Sequence, residues 1–110
     1  MSYRVLITGP AKRDLRAIVA WWSEHRSTEQ AQRWYSRIYP AIAALSEQPD
    51  RCPLAPETDL LPSGLRQLHF GLSRRTTHRI LFTIVGGEVR VLRVRHTAQN
   101  DLSADGLTES

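Results

Sequence analysis

The spacing of hydrophobic positions changes along the chain, and each change marks an element. Over 3–9, YRVLITG, residues Tyr3, Val5 and Ile7 fall on one parity, which predicts a strand ending at Gly9-Pro10. From Ala11 the period lengthens. Ala11, Leu15, Ile18 and Trp22 recur on one helical face, while Arg13, Arg16, Ala20 and Glu24 lie largely on the other. A helix is therefore predicted over about 11–25, with Pro10 suited to its first turn. HRSTEQA then reads as a turn, with Ser27 or Thr28 as the N-cap of a second helix. Its apolar stripe is Ala31, Trp34, Tyr35, Ile38, Ala41, Ile42 and Leu45, which predicts a helix over about 28–47, kinked at Pro40. Two helices with a short link and facing stripes form a hairpin. Trp21, Trp22 and Trp34 read as core or hairpin contacts.

The pattern breaks over 46–64, a long loop holding Pro49, Pro53, Pro56 and Pro62. Long ordered loops in small domains are often functional. Strand signals then return in LRQLHFGL (65–72), HRILFTIV (78–85) and EVRVLRVRH (88–96). SRRTT (73–77) links the first two, and Gly86-Gly87 is a tight hairpin signal between the last two. The order β-α-α-β-β-β predicts an α+β fold, a helical hairpin packed on one face of a mostly antiparallel four-stranded sheet. With 110 residues the chain is expected to form a single domain over 1–96, followed by a polar, acidic tail over 97–110 that is flexible at its end.

Parity assigns the strand faces. Ile80, Phe82 and Ile84 share one face, and Arg79, Leu81, Thr83 and Val85 the other. In the last strand Leu92, Val94 and His96 alternate with Val91, Arg93 and Arg95. The helices should cover the more apolar face, so Ile80, Phe82, Leu92 and Val94 are expected beneath them. Arg79, Arg93 and Arg95 then project from an open face, joined by Arg74 or Arg75. Several guanidiniums on one face form a candidate phosphate- or target-binding surface; the plainer alternative is a solvated face. His96, at the strand end, is either an acid–base candidate or a structural histidine.

Charge sharpens this picture. Residues 1–63 are nearly neutral, with eight basic and seven acidic groups. Residues 64–96 hold seven arginines against Glu88 alone, and residues 97–110 hold three acids and no base. Such a basic segment suits nucleic acid or an acidic protein partner. The single cysteine, Cys52, forbids an internal disulfide and fits a cytoplasmic setting. No apolar run is long enough to span a membrane. His25, His69, His78 and His96 lack zinc spacing, no phosphate-binding glycine loop is present, and no metal or cofactor is expected.

Taken together, YRVLITGPAKRDLRAI, AQRWYSRIYPAIAALSEQP, GLRQLHF and HRILFTIVGGEVRVLRVRH resemble the RelE/ParE superfamily of toxins from type II toxin–antitoxin systems, over roughly residues 3–101. The resemblance implies a compact toxin neutralised by a cognate antitoxin in a hetero-oligomer. RelE-like members cut messenger RNA in the ribosomal decoding site without a metal; ParE-like members do not, and those studied poison DNA gyrase. Arg79 matches the sheet arginine of the RelE-like strand, with His78 and Phe82 where aromatic residues flank it. On that reading Arg79, Arg93 or Arg95 would grip the scissile phosphate, and His96 would act as acid or base. After His96, however, the chain has neither the arginine nor the tyrosine of RelE-like enzymes, and Lys12 is its only lysine. The V-x-H strand ending is common in ParE-like members. The first expectation is thus a ParE-like toxin that binds and inhibits an essential target. The alternatives are a RelE-like ribosome-dependent endoribonuclease and a non-enzymatic nucleic-acid-binding module. In each case an acidic or amphipathic antitoxin segment is expected to cover part of the basic sheet.

Overall fold

The first helix begins where Thr8 ends the first strand. The Thr8 hydroxyl accepts the Ala11 N–H at 3.4 Å and donates to the Val91 carbonyl at 2.8 Å, so one side chain caps a helix and ties it to the last strand. The computed structural model describes residues 2–98 and Leu107. Strand β1 spans Arg4–Ile7 and helix α1 Gly9–His25, with Pro10 in its first turn. Helix α2 spans Thr28–Ala43; its N-cap Ser27 accepts the Gln30 N–H at 3.0 Å. Pro40 lies on the exposed side of α2, and the buried stripe runs through it in phase from Ile38 to Ile42. The helix is shorter than the predicted 28–47, because its last turn tightens into a 3-10 turn over Ala44–Ser46. Strands β2 (Arg66–Phe70), β3 (His78–Val85) and β4 (Glu88–His96) follow. Of the expected tail over 97–110, all but Thr97, Ala98 and Leu107 lies outside the described residues.

The four strands form one sheet in the order β1-β4-β3-β2. β1 runs parallel to β4, and the other pairs are antiparallel, which is the mostly antiparallel α+β architecture predicted. Gly86, at φ +61°, turns the β3–β4 hairpin. The helical hairpin packs Leu15, Trp34, Ile38 and Ile42 onto Ile80, Phe82, Val89, Val91 and Val94, all buried. Burying each such side chain contributes about 1.5–3 kcal/mol.

One strand departs from simple alternation. Ile80 pairs with Val94 and Leu81 with Arg93, but Phe82 pairs with Val91, so β4 carries an additional residue, Leu92. This bulge resets the parity. Val91 joins Val94 on the helix side, whereas Leu92, expected beneath the helices, points to the other face. There it meets Leu81, Leu65, Ala55 and Leu107. The second face is therefore not the open surface that alternation predicts. The proline-rich segment lies over it: the Thr83 hydroxyl donates to the Gly64 carbonyl at 2.7 Å and lies 2.6 Å from the Ser63 hydroxyl. Burial pushes the Cys52 thiol up from its ordinary range, against the pull of Arg51 and Arg66, which makes it a packing group rather than a nucleophile.

Candidate functional site

The expected arginine surface divides into three environments. Arg79 is 6% exposed. Its Nη1 donates to Glu57 Oε1 at 2.8 Å and to Gln67 Oε1 at 3.2 Å, and its Nη2 pairs with Glu57 Oε2. This is a forked arginine–carboxylate pair, closed by a residue of the long loop. Arg95 stands opposite Arg79 in the sheet register, on the same face. Burial, and then the neighbouring Arg93 and Arg79, pull the Arg95 guanidinium down from the ordinary arginine range, opposed by Asp14 and Glu57.

Arg93 belongs elsewhere. Its Nε and Nη2 donate to the Asp14 carboxylate at 2.7 and 3.0 Å, and the Val94 N–H donates to the same carboxylate at 2.9 Å. The reason lies in the topology. β1 stops at Ile7, paired with Val91, while β4 continues to His96. Asp14, on the second turn of α1, takes the backbone edge that β1 leaves uncovered, and donating to its carboxylate raises the Arg93 guanidinium above its ordinary range. Arg74 and Arg75 are exposed in the β2–β3 connection. That connection folds closely at Gly71, where a Cβ would lie 2.4 Å from the Arg75 carbonyl oxygen.

His96 lies across the sheet from the Arg79–Glu57 pair. It pairs with His78, and the two rings meet edge-on at 5.3 Å. His96 is exposed, and its Nδ1 accepts the Ala98 N–H at 3.0 Å, which places the proton of the neutral ring on Nε2. His78 is the residue that sequence reasoning passed over. It is buried against Trp34, with ring centroids 5.1 Å apart, and its Nδ1 lies 2.8 Å from the Thr77 hydroxyl. Burial, and then the charge of His96, lower the His78 pKa to about 4, so this ring is neutral at physiological pH. The signal available in the sequence was its parity with Ile80 and Phe82, which puts position 78 on the buried face.

Both histidines open onto a cleft of about 530 Å³ between α1 and the ends of β3 and β4. Ala17, Ile18, Trp21 and Trp22 form its α1 wall, and Thr77, His78, Val94 and His96 form the sheet wall, with Asp14 and Arg26 also lining it. Trp21, expected in the core or the hairpin contact, is instead 46% exposed, stacked on His25 at 5.0 Å and edge-on to Trp22 at 5.5 Å. Trp34 is core as expected, and Trp22 is partly buried against the core. The catalytic trio of the RNase reading is thus split. Arg79 and Arg95 lie on the loop side of the sheet, and His96 on the side facing the cleft.

This architecture is the RelE/ParE toxin fold. It superposes on a chain of the chromosomal ParDE toxin–antitoxin system of P. aeruginosa with a TM-score of 0.68, at 20% identity, covering 86% of this chain and 96% of that one. A second similar structure is the toxin–antitoxin complex RelBE2 of Mycobacterium tuberculosis, at 27% identity and a TM-score of 0.47, covering 87% of this chain and 99% of that one. No curated protein matches the chain. The chain belongs to the family of the ParE toxin of type II toxin–antitoxin system, parDE, whose model matches residues 5–101.

Proposed function

We propose that this chain is a ParE-like toxin that binds and inhibits an essential cellular target, DNA gyrase being the target that the family resemblance names, and that a cognate antitoxin neutralises it. The observation that carries this reading is the state of Arg79. In an RNase of the RelE type this arginine would hold the scissile phosphate, yet here its guanidinium faces a buried carboxylate from Glu57. A phosphate would have to displace a fixed anion from a dry site, at a cost of several kcal/mol. His96, the acid–base candidate, lies on the other side of the sheet from that guanidinium. Family membership over residues 5–101 supports the same direction.

Two assays on the purified toxin test the proposal side by side. Gyrase supercoiling is expected to fall at toxin doses that arrest growth, while messenger RNA in a translating extract stays uncut. Unimpaired supercoiling together with cleavage in the extract, abolished by Arg79→Ala and His96→Ala, would establish the endoribonuclease reading instead.

A further inference from the structure

Part of the surface expected to receive the antitoxin is already covered. Glu57 already answers Arg79, and the loop segment and Leu107 lie over the second sheet face. The α1 cleft offers a different surface. Its size, about 530 Å³, falls within the range of pockets that bind ligands or anchoring side chains. Its walls are mainly apolar: Ile18, Trp21 and Trp22 face Val94. A tryptophan left 46% exposed beside such a wall is the type of residue that dominates binding energy once a partner covers it.

The charges at the cleft select the partner. Asp14 is engaged by the Arg93 guanidinium and the Val94 N–H, so its negative charge is answered from within. His78 is neutral, and Arg26 is exposed at the end of α1. Arg74 and Arg75 are exposed in the segment leading to Thr77, which lines the cleft. Among the lining residues, Arg26 therefore supplies a positive charge beside an apolar floor.

We propose that this cleft is the docking site for an acidic segment of the antitoxin, which inserts one large apolar side chain between Trp21, Trp22 and Val94 and sets a carboxylate against Arg26. The proposal rests on the toxin–antitoxin reading above, and it moves the contact from the basic sheet to the α1 side of the molecule. Trp21 and Trp22 supply apolar area, and Arg26 supplies orientation and a faster encounter.

The test uses the full-length chain and the purified product of the reading frame adjacent to its gene. Ala17 is exposed on the cleft wall, so Ala17→Trp fills the cleft without entering the core. Its Kd for the partner is expected to rise by about tenfold or more, and that of Arg26→Glu by about tenfold with a weaker salt dependence. Val85→Ala, at the far end of β3, serves as the control and is expected to bind as wild type. Circular dichroism and the urea midpoint establish that each variant is folded. If the partner binds wild type tightly and binds Ala17→Trp and Arg26→Glu equally well, the cleft assignment is overturned while the toxin–antitoxin reading stands. If folded wild type does not bind the partner at all, the antitoxin reading itself falls.

Discussion

The two faces of this sheet are held by different physics. On the helix side, Trp34, Ile38 and Ile42 cover Ile80, Phe82 and Val94 through non-directional apolar contact between regular elements. On the loop side, a smaller cluster of Leu65, Leu81 and Leu92 is interleaved with directional polar contacts, the Arg79–Glu57 pair and the Thr83 hydroxyl on the Gly64 carbonyl. Adjacent residues of one strand therefore meet opposite demands. Leu81 and Phe82 are both fully buried, yet one faces a loop and the other a helix. Regular elements can cover a face with periodic side chains alone. An irregular segment must also satisfy its own backbone and the polar groups it buries, so it brings partners such as Glu57 with it.

The largest expected effect tests the helix side. Phe82→Ala should lower the unfolding free energy by about 3–5 kcal/mol, read from urea denaturation, because it opens a cavity between the sheet and rigid helices. Leu81→Ala should cost about 2 kcal/mol, near the low end for such changes, because a loop can settle into the space. Equal losses at the two positions would break the comparison.

Next is the ion pair. Glu57→Ala leaves a buried guanidinium without its carboxylate and should cost about 3 kcal/mol in the same assay. Glu57→Leu combined with Arg79→Met should restore most of that loss, since a buried pair can often be replaced by apolar groups of similar volume. A double variant no more stable than Glu57→Ala would show that the loop needs the charges themselves.

Acid acts on the helix side. His78 has its folded pKa lowered to about 4, against about 6.5 in an unfolded chain. Its neutral form is the folded one, so this contribution is fully present above pH 6.5. It fades as the unfolded chain gains a proton and is lost as the pH falls to about 4. The difference corresponds to roughly 2–3 kcal/mol between pH 7.5 and pH 4, after allowance for local opening. His78→Phe should flatten the urea midpoint across that range, and an unchanged slope would assign the acid sensitivity to other groups. Asp14→Asn should have the smallest effect, about 1 kcal/mol, because the partly exposed Arg93 can turn to water. Amide exchange at Val94 should accelerate in that variant if the carboxylate protects the edge of β4.

Much of the fold could be read in advance because the helices and the last two strands follow strict periods. β3 and β4 occupy 78–85 and 88–96, the spans of their apolar alternation, and Ser27 caps α2 where the pattern places it. The site was less legible. The exposed Tyr35 matches the α2 stripe as well as the buried Trp34 does, since periodicity reports a stripe's direction but not where its covering ends. Leu92 was misplaced because a single inserted residue reverses every parity before it along the strand, and nothing local to 88–96 marks the bulge.

By itself the amino-acid sequence determined the order of elements, the helical hairpin over a mostly antiparallel sheet, the basic character of 64–96 and the family likeness. Those properties reside in periods, caps and composition, which are local. Only the tertiary structure decided which arginines meet which carboxylates. Glu57 reaches Arg79 across 22 positions and Asp14 reaches Arg93 across 79. Contacts of that separation depend on where β1 stops, where β4 bulges and how a proline-rich loop lies. The chain settles these together when it closes its core, and no short stretch of sequence carries them.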